Sequence, residues 1–281
     1  MKHLVKANLY LESKRFRFIF LIIVISFSII YLLYLSKNID YSNTIYSVID
    51  GESKYIDKYN YSTLISKEIL SNTKYSTTRD IVVNSSPLYY LLGIVFIFKA
   101  YYSIKDINSS LLSKVISLVI VLSLYMCLIN LFIIVFSSIF GDENILYLTK
   151  IIYFNRKFID VSLVFYLVFK SILYMIPIVF IILFTFMLSI MFKGKSISLI
   201  ISILFYLMGS SICVSMVSNG YSFISVLPFS YIDFTYFEGN SYLYNNALYS
   251  VDINLYKGII VLFIYEVIFY FISIKLLNKN V

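Results

Sequence analysis

The amino-acid sequence predicts an all-α, polytopic helical membrane protein with about six transmembrane helices. Three observations carry that prediction: the scarcity of charge, the grouping of apolar residues into long blocks, and the gathering of Lys and Arg between alternate blocks. Hydrophobic residues make up 60% of the 281 and charged residues only 14%, with a mean hydropathy of +0.87. A water-soluble domain carries about 25% charged residues, because its surface faces water. A bilayer core of ~30 Å takes about 20 apolar residues per helix at 1.5 Å rise. Closed β-barrels are the other structure that satisfies its backbone inside lipid. Their strands are short and alternating, whereas the blocks here are long runs of Ile, Leu, Phe and Val.

The first block, near 18–35, follows Lys14, Arg15 and Arg17, as the core of a signal peptide would. It is long for that role, and the residues after it, Ser36-Lys37-Asn38-Ile39-Asp40, offer no small-residue cleavage site. A retained anchor is expected. Further spans are expected near 86–102, 115–136, 168–192, 197–217 and 258–276. The fourth apolar stretch starts at Val161, earlier than one straight span needs, so its first turns are expected outside the bilayer or along its surface. Pro177 lies inside it and should kink the helix or break its hydrogen-bond ladder.

Orientation follows from the bases in short flanking segments. With the N-terminus in the cytoplasm, the inner segments hold twelve Lys and Arg against two acids, Glu12 and Asp106. Residues 36–86 hold six of each sign, 139–165 three of each, and 218–256 hold Asp233, Glu238 and Asp252 with no base. The Phe192-Lys193-Gly194-Lys195 turn is the clearest inner marker. An even number of spans then returns the C-terminus to the cytoplasm. Among the 28 tyrosines, the pairs Tyr89-Tyr90 and Tyr101-Tyr102 fall at span ends, where an amphipathic ring suits the interface.

Three pieces outside the spans have character. In residues 1–17, Leu4, Ala7, Leu11 and Phe18 share one helical arc, opposite Lys2, Lys6, Ser13 and Arg17. That pattern fits a helix lying in the membrane surface, and it fits equally a positive flank that only sets topology. Residues 36–85 form a polar external segment. Residues 218–257 form a second one, in which Tyr221 to Ile232 is apolar but short and interrupted by Pro228. A re-entrant or interfacial segment fits it, since irregular backbone survives at depth only where protein or water shields it.

Most catalytic chemistry has no residues to work with. The one histidine, His3, lies at the N-terminus, which removes Ser-His-Asp and Cys-His triads and HExxH metal sites. The eight glycines form neither GxxxxGK[ST] nor GxGxxG, the loops that cradle nucleotide phosphates. Cys127 and Cys213 each sit inside a span and read as small apolar residues. No catalytic residue, cofactor or metal site is expected. The remaining signal is polar residues inside spans, where charge is costly and tends to face a cavity or partner. Glu266 lies mid-way along the sixth span, with Tyr270 and Ser273 on the same face. It is a candidate for a substrate path or for pairing with Lys170 in the fourth span; a structural ion pair or a protonated, hydrogen-bonded acid is the plainer reading. Lys170 alone can snorkel outward. Asn130, in the third span, and Gly209-Ser210-Ser211, in the fifth, suit helix–helix packing and hydrogen bonding, and Asn130 is retained as a candidate for the path.

Taken together, residues 1–17, the segment from Lys99 to Lys114, and the broken segment from Tyr221 to Tyr256 give a pattern that resembles the permease subunits of type-2 ABC exporters. The string Leu227-Pro228-Phe229-Ser230-Tyr231-Ile232 is similar to the Pro-Phe-Ser-Tyr run that often follows the fifth span in small bacterial members. The resemblance implies a multi-pass protein of the bacterial cytoplasmic membrane that exports a peptide or other amphipathic compound, or gives immunity to it. It implies two kinds of partner, a second permease, identical or homologous, and cytoplasmic ATP-binding subunits that hydrolyse the ATP. The coupling loop would contain Lys99, Lys105, Asp106 and Lys114. Only Asp106 stands where an acidic residue followed by a Gly-Thr pair is frequent in the family, a departure from its pattern. A non-transporting membrane sensor or assembly partner, and a secondary transporter, remain open. A sensor wants a soluble output domain, and a secondary transporter wants two related halves with interrupted helices.

Overall fold

The computed structural model describes residues 24–32, 77–104, 111–141, 144–154, 157–193, 196–233 and 253–279. The expected surface helix at 1–17, both ends of the first span and most of the external segment 36–85 lie outside the described residues. Residues 24–32 are helical. The elements that follow are α1 (Thr77–Val83), α2 (Ser86–Ile104), α3 (Leu111–Phe140), strands β1 (Thr149–Phe154) and β2 (Lys157–Ser162), α4 (Leu163–Met191), α5 (Ser196–Ser218) and α6 (Leu255–Lys279). Five helices are long and apolar enough to cross a membrane: Ile81–Ser103, Leu111–Phe140, Leu163–Met191, Ser196–Val217 and Leu255–Asn278. The chain is an all-α polytopic protein whose described part departs from helix at one short hairpin, β1 paired antiparallel with β2.

The fourth apolar stretch is helical from Leu163, where Ser162 caps it: the Ser162 hydroxyl accepts a hydrogen bond from the Phe165 amide at 3.3 Å. The helix then runs without a break through Pro177 to Met191. Pro177 removes one amide donor from the ladder, and it is buried within the bundle. Membrane helices tolerate proline on these terms.

Helix ends explain the loops. α5 closes on Gly220, whose φ of 74° is left-handed. Its amide donates to the Val217 carbonyl at 2.9 Å and the Tyr221 amide to Met216 at 3.2 Å, the bond pair that satisfies the last open carbonyls of a helix. At the end of α4 the same left-handed turn falls on Lys193, φ 51°, beside the expected inner Lys-Gly-Lys turn. After α5 the chain makes two 3-10 turns, Ser222–Val226 and Pro228–Tyr231. They form an elbow in which Ile224, Tyr231 and Ile232 are buried.

α4 is the axis of the bundle. One hydrophobic cluster joins it to residues 24–32, α1, α2 and α3 through Tyr166, Leu167, Tyr174, Ile178 and Phe186. A second joins it, through Leu173, Phe180 and Ile181, to α5, the elbow and α6. Over its most apolar window α4 is 72% buried, whereas α5 is 28% and α6 22% buried. The latter two turn Ile200, Leu204, Leu207, Ile260, Phe263 and Phe271 outward. In lipid, which is as apolar as these side chains, that exposure carries no penalty.

Candidate functional site

The sequence candidates separate into two groups in space. Asn130 and Lys170 come together at the junction of α2, α3 and α4. The Tyr89 hydroxyl of α2 donates to Asn130 Oδ1 of α3 at 2.6 Å. Asn130 Nδ2 in turn lies 2.7 Å from Ser171 Oγ of α4. Ser171 Oγ also reaches the Leu167 carbonyl, at 2.9 Å. Three helices are thus tied by one small polar node inside an apolar bundle. Such bonds across membrane helices are each worth about 0.6 kcal/mol and at most about 1.7.

Lys170 is next in sequence to the node and is fully buried. It neither snorkels outward nor pairs with Glu266. Its ammonium donates to the Val83 carbonyl at 2.7 Å and the Val82 carbonyl at 3.4 Å, C-terminal carbonyls of α1, the second of which also accepts from Ser85 Oγ at 2.7 Å. Those oxygens need a donor, and a cation suits the negative end of a helix dipole. The rings of Tyr89 and Tyr166 flank the ammonium at 5.9 Å and 5.7 Å, within reach of a cation–π contact.

Glu266 and Tyr270 lie elsewhere, on α6. Both are half-buried, and Tyr270 packs against the first hydrophobic cluster. Ser273, expected to extend the polar stripe, is buried and returns its hydroxyl to the Phe269 carbonyl of its own helix at 2.7 Å. Glu266 is therefore placed at the edge between the packed and the outward face of α6, away from the polar node.

The coupling segment is also more ordered than a loop. Lys99 belongs to α2 and Lys114 to α3, and both side chains are buried. The Lys99 ammonium sits over the Phe96 and Tyr125 rings at 5.2 Å and 5.0 Å. The Lys114 ammonium donates to the Ser103 carbonyl and so closes the end of α2 from the start of α3. Lys105 and Asp106 lie outside the described residues. Pro228 is buried at the first position of the second 3-10 turn, where a missing amide costs nothing.

The elbow is held by a network that the sequence did not reveal. Tyr231 Oη donates to the Ser225 carbonyl at 2.7 Å, Ser230 Oγ to the Ile224 carbonyl at 2.7 Å, and Lys257 Nζ to Ser225 Oγ at 3.0 Å. Two glycines let it approach the spans. A Cβ at Gly258 would meet Tyr231 Cδ1 at 2.5 Å, and one at Gly209 would meet Ile232 Cδ1 at 2.9 Å. Between α2 and α5 a third glycine, Gly93, leaves the space that the Tyr206 hydroxyl fills. The sequence signal is a glycine within or at the edge of an apolar run, the mark of close helix approach; for Gly209 it is the Gly209-Ser210-Ser211 string.

Among the described residues, no group of three or more His, Cys, Asp and Glu could hold a metal ion, and Cys127, exposed, and Cys213, buried, are both free. Comparison with protein families, with curated proteins and with solved structures finds no match in any of the three.

Replacing Asn130 by Leu should cost about 1–2 kcal/mol of stability, since it strands the Tyr89 hydroxyl in an apolar setting. Reversible unfolding in mixed micelles measures the loss. Adding Tyr89→Phe to that variant should recover most of the loss, because the stranded hydroxyl is then gone.

Proposed function

We propose that this chain is the membrane-spanning permease subunit of an ATP-driven ABC exporter in a bacterial cytoplasmic membrane, moving a peptide or other amphipathic compound or giving immunity to it. The observation that carries the reading is the elbow Ser222–Tyr231 between the last two spans, built from the Pro228-Phe229-Ser230-Tyr231 string that resembles the family. A folded, apolar, non-spanning element at that place is what the family has and what a simple loop would not need. The inner junction supports it. With Lys114 bound to the end of α2, a push on residues 105–110 reaches α2 and α3 as one lever. On this reading ATP hydrolysis belongs to a cytoplasmic partner subunit, and a second permease completes the pathway. The side bearing Lys99, Lys114, Lys193 and Lys275 faces the cytoplasm.

Purification of the tagged chain from its native membrane tests the proposal. A stoichiometric ATP-binding subunit and ATPase activity are expected in the eluate. Both should be lost when 105–110 is replaced by a Gly/Ser linker, with the bundle still folded. Recovery of the chain alone, without ATPase activity, would remove the exporter reading in favour of a sensor or a secondary transporter.

A further inference from the structure

The β1–β2 hairpin is rooted where α4 begins, since Ser162 is both the last residue of β2 and the cap of α4. A two-stranded hairpin is marginally stable in water unless one face is covered. Its register sorts the strands onto two faces, because directly opposite residues share a face and the faces alternate along each strand. Lys150–Val161, Ile152–Ile159 and Phe154–Lys157 are paired on one face. Thr149–Ser162, Ile151–Asp160 and Tyr153–Phe158 are paired on the other. The first face is apolar and basic without an acid; the second carries Asp160 without a base. At the root the ladder gains one more pair, with the Leu163 amide donating to the Leu148 carbonyl at 3.0 Å. That pair is in register with the first face. Leu148 and Leu163 are buried in the first hydrophobic cluster and Val161 packs against it, whereas Ser162, on the second face, is exposed. The basic face therefore continues the side of the root that turns into the bundle.

We propose that this face, with Lys150, Ile152, Phe154, Lys157 and Ile159, docks on the membrane surface beside the bundle, its apolar residues at the upper acyl chains and its two lysines at anionic lipid phosphates. Charge complementarity selects this occupant. Apolar residues bracketed by lysines suit an anionic bilayer surface, whereas a second copy of the same face would set lysine against lysine with no acid between them. The surroundings of the root agree. In the turn before β1, Leu146 is 66% and Tyr147 86% exposed, and Ile139 and Phe140 at the end of α3 are exposed as well. That makes an apolar rim with a tyrosine, as suits the lipid interface. The docking does not depend on the exporter reading, and its test uses neither a partner subunit nor ATP.

The chain has no tryptophan, so one introduced indole reports its own surroundings. Phe154→Trp and Tyr153→Trp each exchange one aromatic residue for another, on opposite faces of β1. Leu207→Trp, on the outward face of α5, gives the signal of a residue in lipid. The full-length variants are placed in nanodiscs of phosphatidylglycerol and phosphatidylcholine whose upper acyl chains carry bromine, a contact quencher of indole. Trp at 154 should be quenched almost as strongly as Trp at 207, and Trp at 153 should not. Two lysines at an anionic surface favour the docked state by roughly thirtyfold at low salt. Adding Lys150→Gln and Lys157→Gln, or using phosphatidylcholine alone, should therefore remove most of the quenching at 154 and none at 207. Equal quenching at 153 and 154 would overturn the proposal. So would a Trp at 154 that bromine does not reach, since water or another protein segment would then cover the face. Quenching at 154 that persists without the lysines and without phosphatidylglycerol would overturn the assignment of the anionic headgroup.

Discussion

Gly258→Leu is expected to detach the elbow from the last span and lower stability by about 3 kcal/mol, the upper end of ordinary overpacking costs. The side chain would have to occupy the place of the Tyr231 ring, since even a Cβ would stand 2.5 Å from Tyr231 Cδ1 and 3.0 Å from Cε1. Tyr231 has nowhere to retreat. It is fully buried and its hydroxyl is committed to the Ser225 carbonyl at 2.7 Å. Moving it strands that carbonyl and takes Ser225 away from the Lys257 ammonium. Thermal unfolding in detergent should show the loss, and limited proteolysis should open first between residues 221 and 233. Gly258→Ala, with only the Cβ to place, should cost less. If Gly258→Leu unfolds like the parent protein, the elbow is not packed on α6.

Phe180→Ala is the second large effect, about 3 kcal/mol of destabilisation, in the range for emptying a buried aromatic site. Phe180 is fully buried on α4, and its ring meets Phe184, Phe205 and Phe269 at 6.3, 6.3 and 5.5 Å. Those partners belong to α4, α5 and α6. In lipid there is little hydrophobic gain in bringing helices together, so contacts of this kind supply the association energy directly. The loss should therefore appear as weakened docking of α5 and α6 on α4, with α2, α3 and α4 still assembled. Unfolding followed with one fluorophore on α6 and another on α3 separates the two. A single shared midpoint in the variant would contradict the separation.

The helical, multi-pass fold was legible because apolar blocks of about twenty residues have few other uses. Hydropathy does not register where the fourth helix begins, because the Ser162 cap is a local hydrogen bond. The hairpin beside it went unseen for the same reason, its apolar residues reading as the flank of a span. Within the site, Asn130 stood out as an amide inside a span, and the structure gives it partners on two helices. Tyr89 was assigned to the membrane interface because it lies at a span end. It is fully buried and bonded to Asn130 of α3, a partner forty-one residues away that the aromatic pattern does not announce. Lys170 illustrates the limit most clearly. A lone lysine in a span invites the search for an acid, and Glu266 was the acid at hand, but helix-end carbonyls are acceptors that no residue letter announces.

One consequence follows from how α4 is shared. The two hydrophobic clusters meet along it, and away from it the α2 and α5 surfaces touch where the Tyr206 ring lies over Gly93, with Tyr90 alongside at 5.9 Å. The Tyr206 hydroxyl fills the notch that Gly93 leaves, so this seam is keyed, a knob set in a hole. Ile97 of α2 belongs to the second cluster and Tyr270 of α6 packs on the first. The helices are thus cross-braced around α4, and any motion that tilts α4 must disrupt both clusters at once.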